Sequence, residues 1–242
     1  MLLPVTSGYV HTGPCVYRPE ERWALRMLPA PRDDRRYEEL LDASHRRSGW
    51  VVYKPVCRSC QACRPIRIPV ERFRPSKSQR RVLRRNEDVR LEIGPPEPTR
   101  EKLDLHNRFV AARFDRGDSR FETLESYEEV FGASPVSTRE MRYRLDGRLV
   151  GLGLIDLLPN VVSSVYFYFD PEEDRRSLGT FSALQEVELA KTTGRGFVYL
   201  GYYIDGCREM SYKARFRPCE LLHPDGVWRD FAPPPLPLPR AT

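Results

Sequence analysis

The chain has little of several things, and each shortage narrows its function. No apolar run approaches the 18–20 residues that a membrane helix requires, so a helical spanning protein is excluded. No basic start leads into a long apolar stretch, so no secretory signal is visible and a cytoplasmic location is expected. No phosphate-binding P-loop and no G-x-G-x-x-G motif occurs, which removes the commonest nucleotide sites. Histidine is scarce: His11, His45, His106 and His223 are scattered, and no Ser–His–Asp or Cys–His nucleophile set emerges. Each is expected to be structural or at the surface.

Lysine is rare at the start. Within residues 1–100 only Lys54 and Lys77 occur, yet that stretch holds 21 Lys and Arg against 12 Asp and Glu. The remaining residues hold 19 against 22, so the net charge of +6 belongs to the first part. Arginine presents a planar fork suited to phosphate. A basic segment on a balanced chain implies a polyanionic partner. The chain is 242 residues, with 40% hydrophobic and 31% charged residues, an ordinary globular mix.

The expected organisation is two domains and a tail. Residues 1–95 form a basic, cysteine-containing domain, residues 99–231 a second domain, and residues 232–242 a Pro-rich tail. The linker Gly94-Pro95-Pro96-Glu97-Pro98-Thr99 marks the boundary. Residues 1–30 read as irregular, 31–44 as a helix, Arg46-Arg47-Ser48-Gly49 as a turn, and Trp50–Tyr53 as a strand. Residues 65–70 alternate like a strand, with Pro69 pointing to a sheet edge. Residues 76–87 read as a helix capped by Ser76 or Ser78. Helices over 99–116 and 122–131 follow, then a hairpin turning at Asp146-Gly147 and a strand over 161–169. A helix over 177–191, a strand over 196–204, a short helix over 206–216 and one last strand complete the chain. The fold class is α+β, and the order matches the acetyltransferase-like (GNAT) plan, in which a central strand leads through a phosphate-holding loop into a helix.

Four groups of residues carry chemistry. Cys57, Cys60 and Cys63 have a spacing at which thiolates wrap one soft metal, with Cys15 as fourth ligand; zinc and an iron–sulfur cluster both suit it. Arg80, Arg81, Arg84 and Arg85 share one broad helix face, the arrangement that RNA phosphates need. Arg175, Arg176 and Gly179 precede or open a helix, where backbone N–H groups bind anions. Tyr202, Tyr203, Asp205, Tyr212 and Lys213 gather hydroxyls, a carboxylate and an amine for proton transfer.

Five segments together resemble one family: PCVYRPE, RRSGWVVYKPVCRSCQACRPIRIPV, PSKSQRRVLRRN, SSVYFYFDPEEDRRSLGTFSALQEVELA and GYYIDGCREMSYKARFRPCELL. They are similar to the bacterial aspartate/glutamate leucyltransferases, relatives of the arginyl-tRNA–protein transferases. The resemblance implies transfer of leucine from leucyl-tRNA to the α-amine of proteins beginning with Asp or Glu, creating an N-degron. It implies a GNAT-like second domain and no cofactor for the transfer itself. Where this family usually has an Arg-His pair, the chain has Arg113-Phe114. Arg46, Arg47 and Arg113 are then candidates for the acceptor carboxylate. Asp205, ahead of Asp156 and Asp170, is the expected base, and Tyr202, Tyr203 or Tyr212 the proton donor. Val165, Phe167, Leu184 or Tyr202 would line a leucine pocket. The competing readings are an arginyl donor, a non-catalytic RNA-binding module with a zinc staple, and an acetyl-CoA-dependent N-acetyltransferase.

Overall fold

The computed structural model describes residues 8–113 and 120–232. Most of the Pro-rich tail and Phe114 lie outside the described residues.

Four strands form a small antiparallel sheet: β1 (Tyr9–Pro14), β2 (Arg22–Pro29), β3 (Arg46–Ser48) and β4 (Val51–Pro55), in the order β1-β2-β4-β3. Two of these correct the sequence reading. Residues 1–30 are not irregular, because β1 and β2 pair over six positions. The Arg46–Ser48 segment is a strand rather than part of a turn, and its two arginines are buried. Helix α1 (Asp34–Asp42) is capped by the Asp33 side chain and buries Tyr37 and Leu41.

Eight strands form the main sheet, in the order β12-β11-β5-β10-β9-β8-β7-β6. They are β5 (Arg64–Pro69), β6 (Arg90–Gly94), β7 (Thr138–Leu145), β8 (Arg148–Leu157), β9 (Val161–Phe169), β10 (Phe197–Tyr203), β11 (Cys219–Leu222) and β12 (Trp228–Phe231). The boundary expected at residues 95–99 does not separate two sheets. Strand β6 pairs with β7 at one edge, and β5 lies between β10 and β11. Strand β5 is therefore internal, despite its prolines. Pro65 and Pro69 stand near its ends, which leaves Ile66, Arg67 and Ile68 to carry the ladder. The single last strand expected is a hairpin, β11 with β12.

The helices pack on this sheet. Helix α2 (Lys77–Arg85) has a Ser76–Gln79 capping box, with each side chain bonding the other's backbone N–H. Helices α3 (Arg100–Arg113), α4 (Leu124–Phe131), α5 (Leu178–Thr192) and α6 (Arg208–Ser211) follow in the expected order. Short 3₁₀ turns cover Pro171–Arg176 and Tyr212–Arg215. The β7–β8 hairpin turns at Asp146 and Gly147, both at positive φ, as its sequence predicts. His106 is buried among Phe121, Phe131, Tyr166 and Tyr168, a structural place.

The GNAT-like plan is present. Strand β9 leads through a 3₁₀ turn into α5, and β10 returns parallel to β9. The two strands pair only at Phe197↔Val161, Val198↔Val162 and Tyr199↔Ser163. Beyond Ser163 they part, and a split opens in the middle of the sheet. No described helix is long and apolar enough to cross a membrane.

Candidate active site

The apex of the split carries positive charge. Its geometry begins at Gly201, where β10 slips register against β5 between Tyr199 and Tyr202 and φ is +86°. Only glycine adopts that angle readily. A Cβ there would stand 3.6 Å from both Arg46 Nε and Lys213 Nζ. The two cations thus flank a notch that the missing side chain leaves open.

Each side chain donates to a backbone carbonyl. Arg46 donates to Ser163 Oγ (3.2 Å) and to the Ser164 carbonyl at the point where β9 leaves β10. Lys213 Nζ donates to the Tyr202 carbonyl at 2.6 Å. Burial, then the nearby Arg46 guanidinium, lower the Lys213 pKa to about 7. An amine with that pKa is partly neutral at physiological pH and can take a proton.

Two further features complete the apex. The β8–β9 register slips so that Leu154 pairs with Tyr166 and Ile155 with Ser164, leaving Val165 bulged. A bulge frees a backbone N–H from the ladder, and such a donor can face a developing oxyanion. Below it, Glu186 on α5 is buried, with Oε1 3.3 Å from Ser164 Oγ and 3.5 Å from Ser182 Oγ. Its Oε2 has no hydrogen-bond partner among the described residues. Burial raises its pKa to about 7. Glu186, Ser164 and Gly201 were missed in the sequence. The signal for Glu186 is a carboxylate at an apolar-stripe position, between the buried Ala183, Val187 and Ala190.

The expected catalytic residues separate. Tyr212 is 40% exposed and lies within electrostatic reach of Glu186 and Arg113. Tyr202 is occupied: its hydroxyl donates to the Ser44 carbonyl at 2.6 Å and ties β10 to the small sheet. Tyr203 faces the other way, because adjacent strand residues point to opposite faces. Its ring packs on Phe231, and its hydroxyl donates to Asp205 at 3.2 Å. Asp205 itself is exposed. Asp156 and Asp170 are engaged by Arg47 and by Arg108 and Arg148, so neither is free to act as a base.

The acceptor candidates separate too. Arg47 is not available to a ligand carboxylate, since its fork is closed on Asp156 inside the protein. Arg46 holds the β9 backbone. Arg113 is exposed at the end of α3, 5.6 Å over the Phe169 ring. Of the leucine-pocket residues, Val165 lines a cavity beside the split. Phe167 packs toward Gly179 on α5, and Leu184 is in the core.

The basic residues form one surface. Arg80, Arg81, Arg84 and Arg85 are all exposed on α2. Arg85 Nη1 donates to the Arg175 carbonyl, and Asn86 Nδ2 to that of Arg176 at 3.0 Å, so α2 abuts the loop before α5. Ser177 is left-handed (φ 57°) and makes no side-chain cap bond, which leaves the first amides of α5, including Gly179, open to an anion. Arg175 is exposed. Arg176 is the exception: it bridges Asp88 (2.8 Å) and Glu173 (3.0 Å).

Cys15, Cys57, Cys60 and Cys63 line one cavity of about 680 Å³, with Tyr53 and Tyr202 also in its wall. Burial and then the other three thiols push the Cys63 pKa up to about 11. The donor type suits a soft metal. The thiols do not converge: among the described residues no group of three or more Cys, His, Asp or Glu closes around a metal ion.

A split between two parallel strands thus has Arg46 and Lys213 at its apex, with an uncapped helix start and a basic helix beside it, features that suit an anionic ligand. Comparison with known proteins identifies the family. The family described as "Arginine-tRNA-protein transferase, C terminus" matches residues 101–223, and its N-terminal counterpart matches residues 13–81. An aspartate/glutamate leucyltransferase of Pseudomonas fluorescens (strain Pf0-1) is 38% identical over 210 residues, 86% of this chain and 89% of that protein. The Pseudomonas savastanoi protein of the same name is 39% identical over the same shares. Among solved structures, the C-terminal domain of a protein described as a lysylphosphatidylglycerol synthetase, from Agrobacterium fabrum, has a TM-score of 0.50 at 14% identity, covering 80% of this chain and 62% of that one; this likeness concerns fold alone. The chain belongs to the aminoacyl-tRNA–protein transferase family that contains the aspartate/glutamate leucyltransferases.

Proposed function

We propose that the protein moves leucine from leucyl-tRNA to the α-amino group of proteins beginning with Asp or Glu, in the cytoplasm. The observation that carries this reading is the likeness to aspartate/glutamate leucyltransferases across 86% of the chain and 89% of theirs.

The tRNA backbone lies along Arg80, Arg81, Arg84 and Arg85 and against Arg175 and Gly179. The aminoacyl end reaches the split. The acceptor amine attacks the ester carbon, and the carbon–oxygen bond to the terminal ribose breaks. Lys213, partly neutral, takes the proton the amine loses, and Tyr212 gives one to the ribose oxygen. Arg46 and the amide freed by the Val165 bulge stabilise the oxyanion. Arg113 is the exposed cation that pairs with the acceptor's carboxylate. A structural zinc or iron–sulfur cluster on Cys15, Cys57, Cys60 and Cys63 is proposed on donor type alone; it requires the four thiols, which line one cavity without converging, to draw together, and metal analysis of the purified protein tests it.

The test supplies labelled leucyl-tRNA and arginyl-tRNA separately, with peptides beginning with Asp, Glu, Arg or Ala. Leucine on the Asp and Glu peptides alone is the expected result. Arginine there keeps the reaction and changes the donor. tRNA binding without transfer reduces the protein to an RNA-binding module.

A further inference from the structure

We infer that the cavity beside Val165 is the pocket for the donor's amino-acid side chain, and that it takes an uncharged, branched apolar group while rejecting a guanidinium. This rests on the transfer reading above and adds the site that selects the donor.

Position comes first. Val165 is the bulged residue of β9 and directly follows Ser164, whose carbonyl accepts from Arg46 at the apex of the split. The cavity therefore opens one residue from the place where the ester must react. A side chain branching from the α-carbon next to that ester needs a recess at this distance.

Size and lining come second. The cavity measures about 160 Å³ and has an apolar wall of Val130, Phe131, Leu154, Val165 and Tyr166. A dry cavity of about 150 Å³ lined by Leu, Ile and Phe accommodates a benzene ring. A four-carbon branch is smaller than that.

Charge decides the class. Ser48 and Tyr53 also line it, and Arg47, Ser134 and Thr138 form the polar end toward Asp156. The needs of these three are met within the protein. Arg47 donates Nε and Nη2 to the two oxygens of Asp156 (2.9 and 2.6 Å) and Nη1 to the Gly49 carbonyl (2.7 Å). Thr138 Oγ1 lies 2.6 Å from both Asp156 Oδ1 and Ser134 Oγ. Among the described residues no carboxylate lines the cavity, so an incoming guanidinium would lose its water and find one charged side chain there, Arg47, of like sign. The closed Arg47 fork also makes this a poor seat for the acceptor's Asp or Glu side chain.

The experiment charges one leucine tRNA with leucine, alanine or arginine, so that every tRNA contact is constant. Initial kcat/KM is measured on Asp and Glu peptides for the native chain, Val165→Phe and Val130→Phe. Val130 is an exposed residue at the cavity, so its variant remains informative where Val165→Phe fails to fold. The native chain should favour leucine over alanine by at least about tenfold, the scale set by loss of a methylene in a fitted pocket, and over arginine by more. Filling the cavity should depress leucine transfer and bring the leucine-to-alanine ratio toward one. An unchanged ratio in both variants overturns the assignment. So does a shift confined to the Asp-against-Glu preference, which would make the cavity an acceptor site. Absence of transfer from any charged form by the native chain removes the functional reading, and the pocket with it.

Discussion

Arg47 and Asp156 form a two-point ion pair inside the protein, with Nε at 2.9 Å and Nη2 at 2.6 Å from the two carboxylate oxygens. Both side chains are almost wholly buried, at 4% and 0% exposure. The pair joins β3 of the small sheet to β8 of the main sheet, 109 residues away. It holds Arg46, the next residue, over the split.

Removing one partner leaves a charge stranded. Asp156→Ala should therefore destabilise the protein by about 3–5 kcal/mol, the cost of breaking a buried pair. Denaturant unfolding measures it. A loss below about 1 kcal/mol would mean that the small sheet docks without this pair.

Lys213 should set the pH dependence of transfer. Its pKa, about 7, lies below the ordinary 10.5 because of burial and Arg46, while Cys207 and Cys63 pull it back up. The neutral form grows as pH rises through about 7, so kcat should rise across the same interval. Lys213→Gln should remove that limb and lower kcat by about 10²–10⁴-fold, the range of general-base catalysis. A Lys213→Gln enzyme with the native pH profile excludes Lys213 as the base.

Glu186 should mark stability instead. Its pKa is raised from 4.5 to about 7 by burial, against the opposing pulls of Ser164, Ser182 and Arg46. The folded state then holds the proton more tightly than the unfolded chain. That contribution is complete below about pH 4.5 and is lost as pH rises through about 7. Glu186→Gln keeps the neutral shape, so its melting temperature should overtake that of the native chain between pH 5 and 8. Parallel Tm curves across that range would show that Glu186 does not titrate there.

The basic face should read the tRNA backbone. Arg81→Ala with Arg84→Ala should weaken tRNA binding for every charged form alike and reduce the salt slope by about 2, one per phosphate contact. Arg176→Ala should act on folding more than on the salt slope, since Asp88 and Glu173 already hold that guanidinium. Filter binding at several salt concentrations separates the two.

Gly201 should tolerate no side chain. At φ +86° an alanine is strained by about 1–2 kcal/mol, and its methyl group would enter the notch between Arg46 and Lys213. Gly201→Ala should depress kcat by far more than it depresses Tm. Equal, small effects on both would place the reacting ester elsewhere.

The sequence by itself determined several local elements and the family. The start of α2, the Asp146-Gly147 turn and the aromatic strand over 161–169 are written in neighbouring residues, and of the two serines the sequence offers as cap, Ser76 takes the place. The opposite faces of Tyr202 and Tyr203 also follow from strand alternation alone. Tertiary structure decided what lies across long separations. Strand β5 enters the main sheet by pairing with β10 and β11, more than a hundred residues away, and no local pattern encodes that choice. The same holds at the site. Arg46 and Arg47 are adjacent and alike in sequence, but strand geometry points one at the split and closes the other on Asp156. Glu186 reads as one more helix carboxylate until α5 is packed against β9, where loss of water changes its proton affinity. Hydrogen-bond partners and desolvation belong to packing, and packing is fixed only when the whole chain has folded.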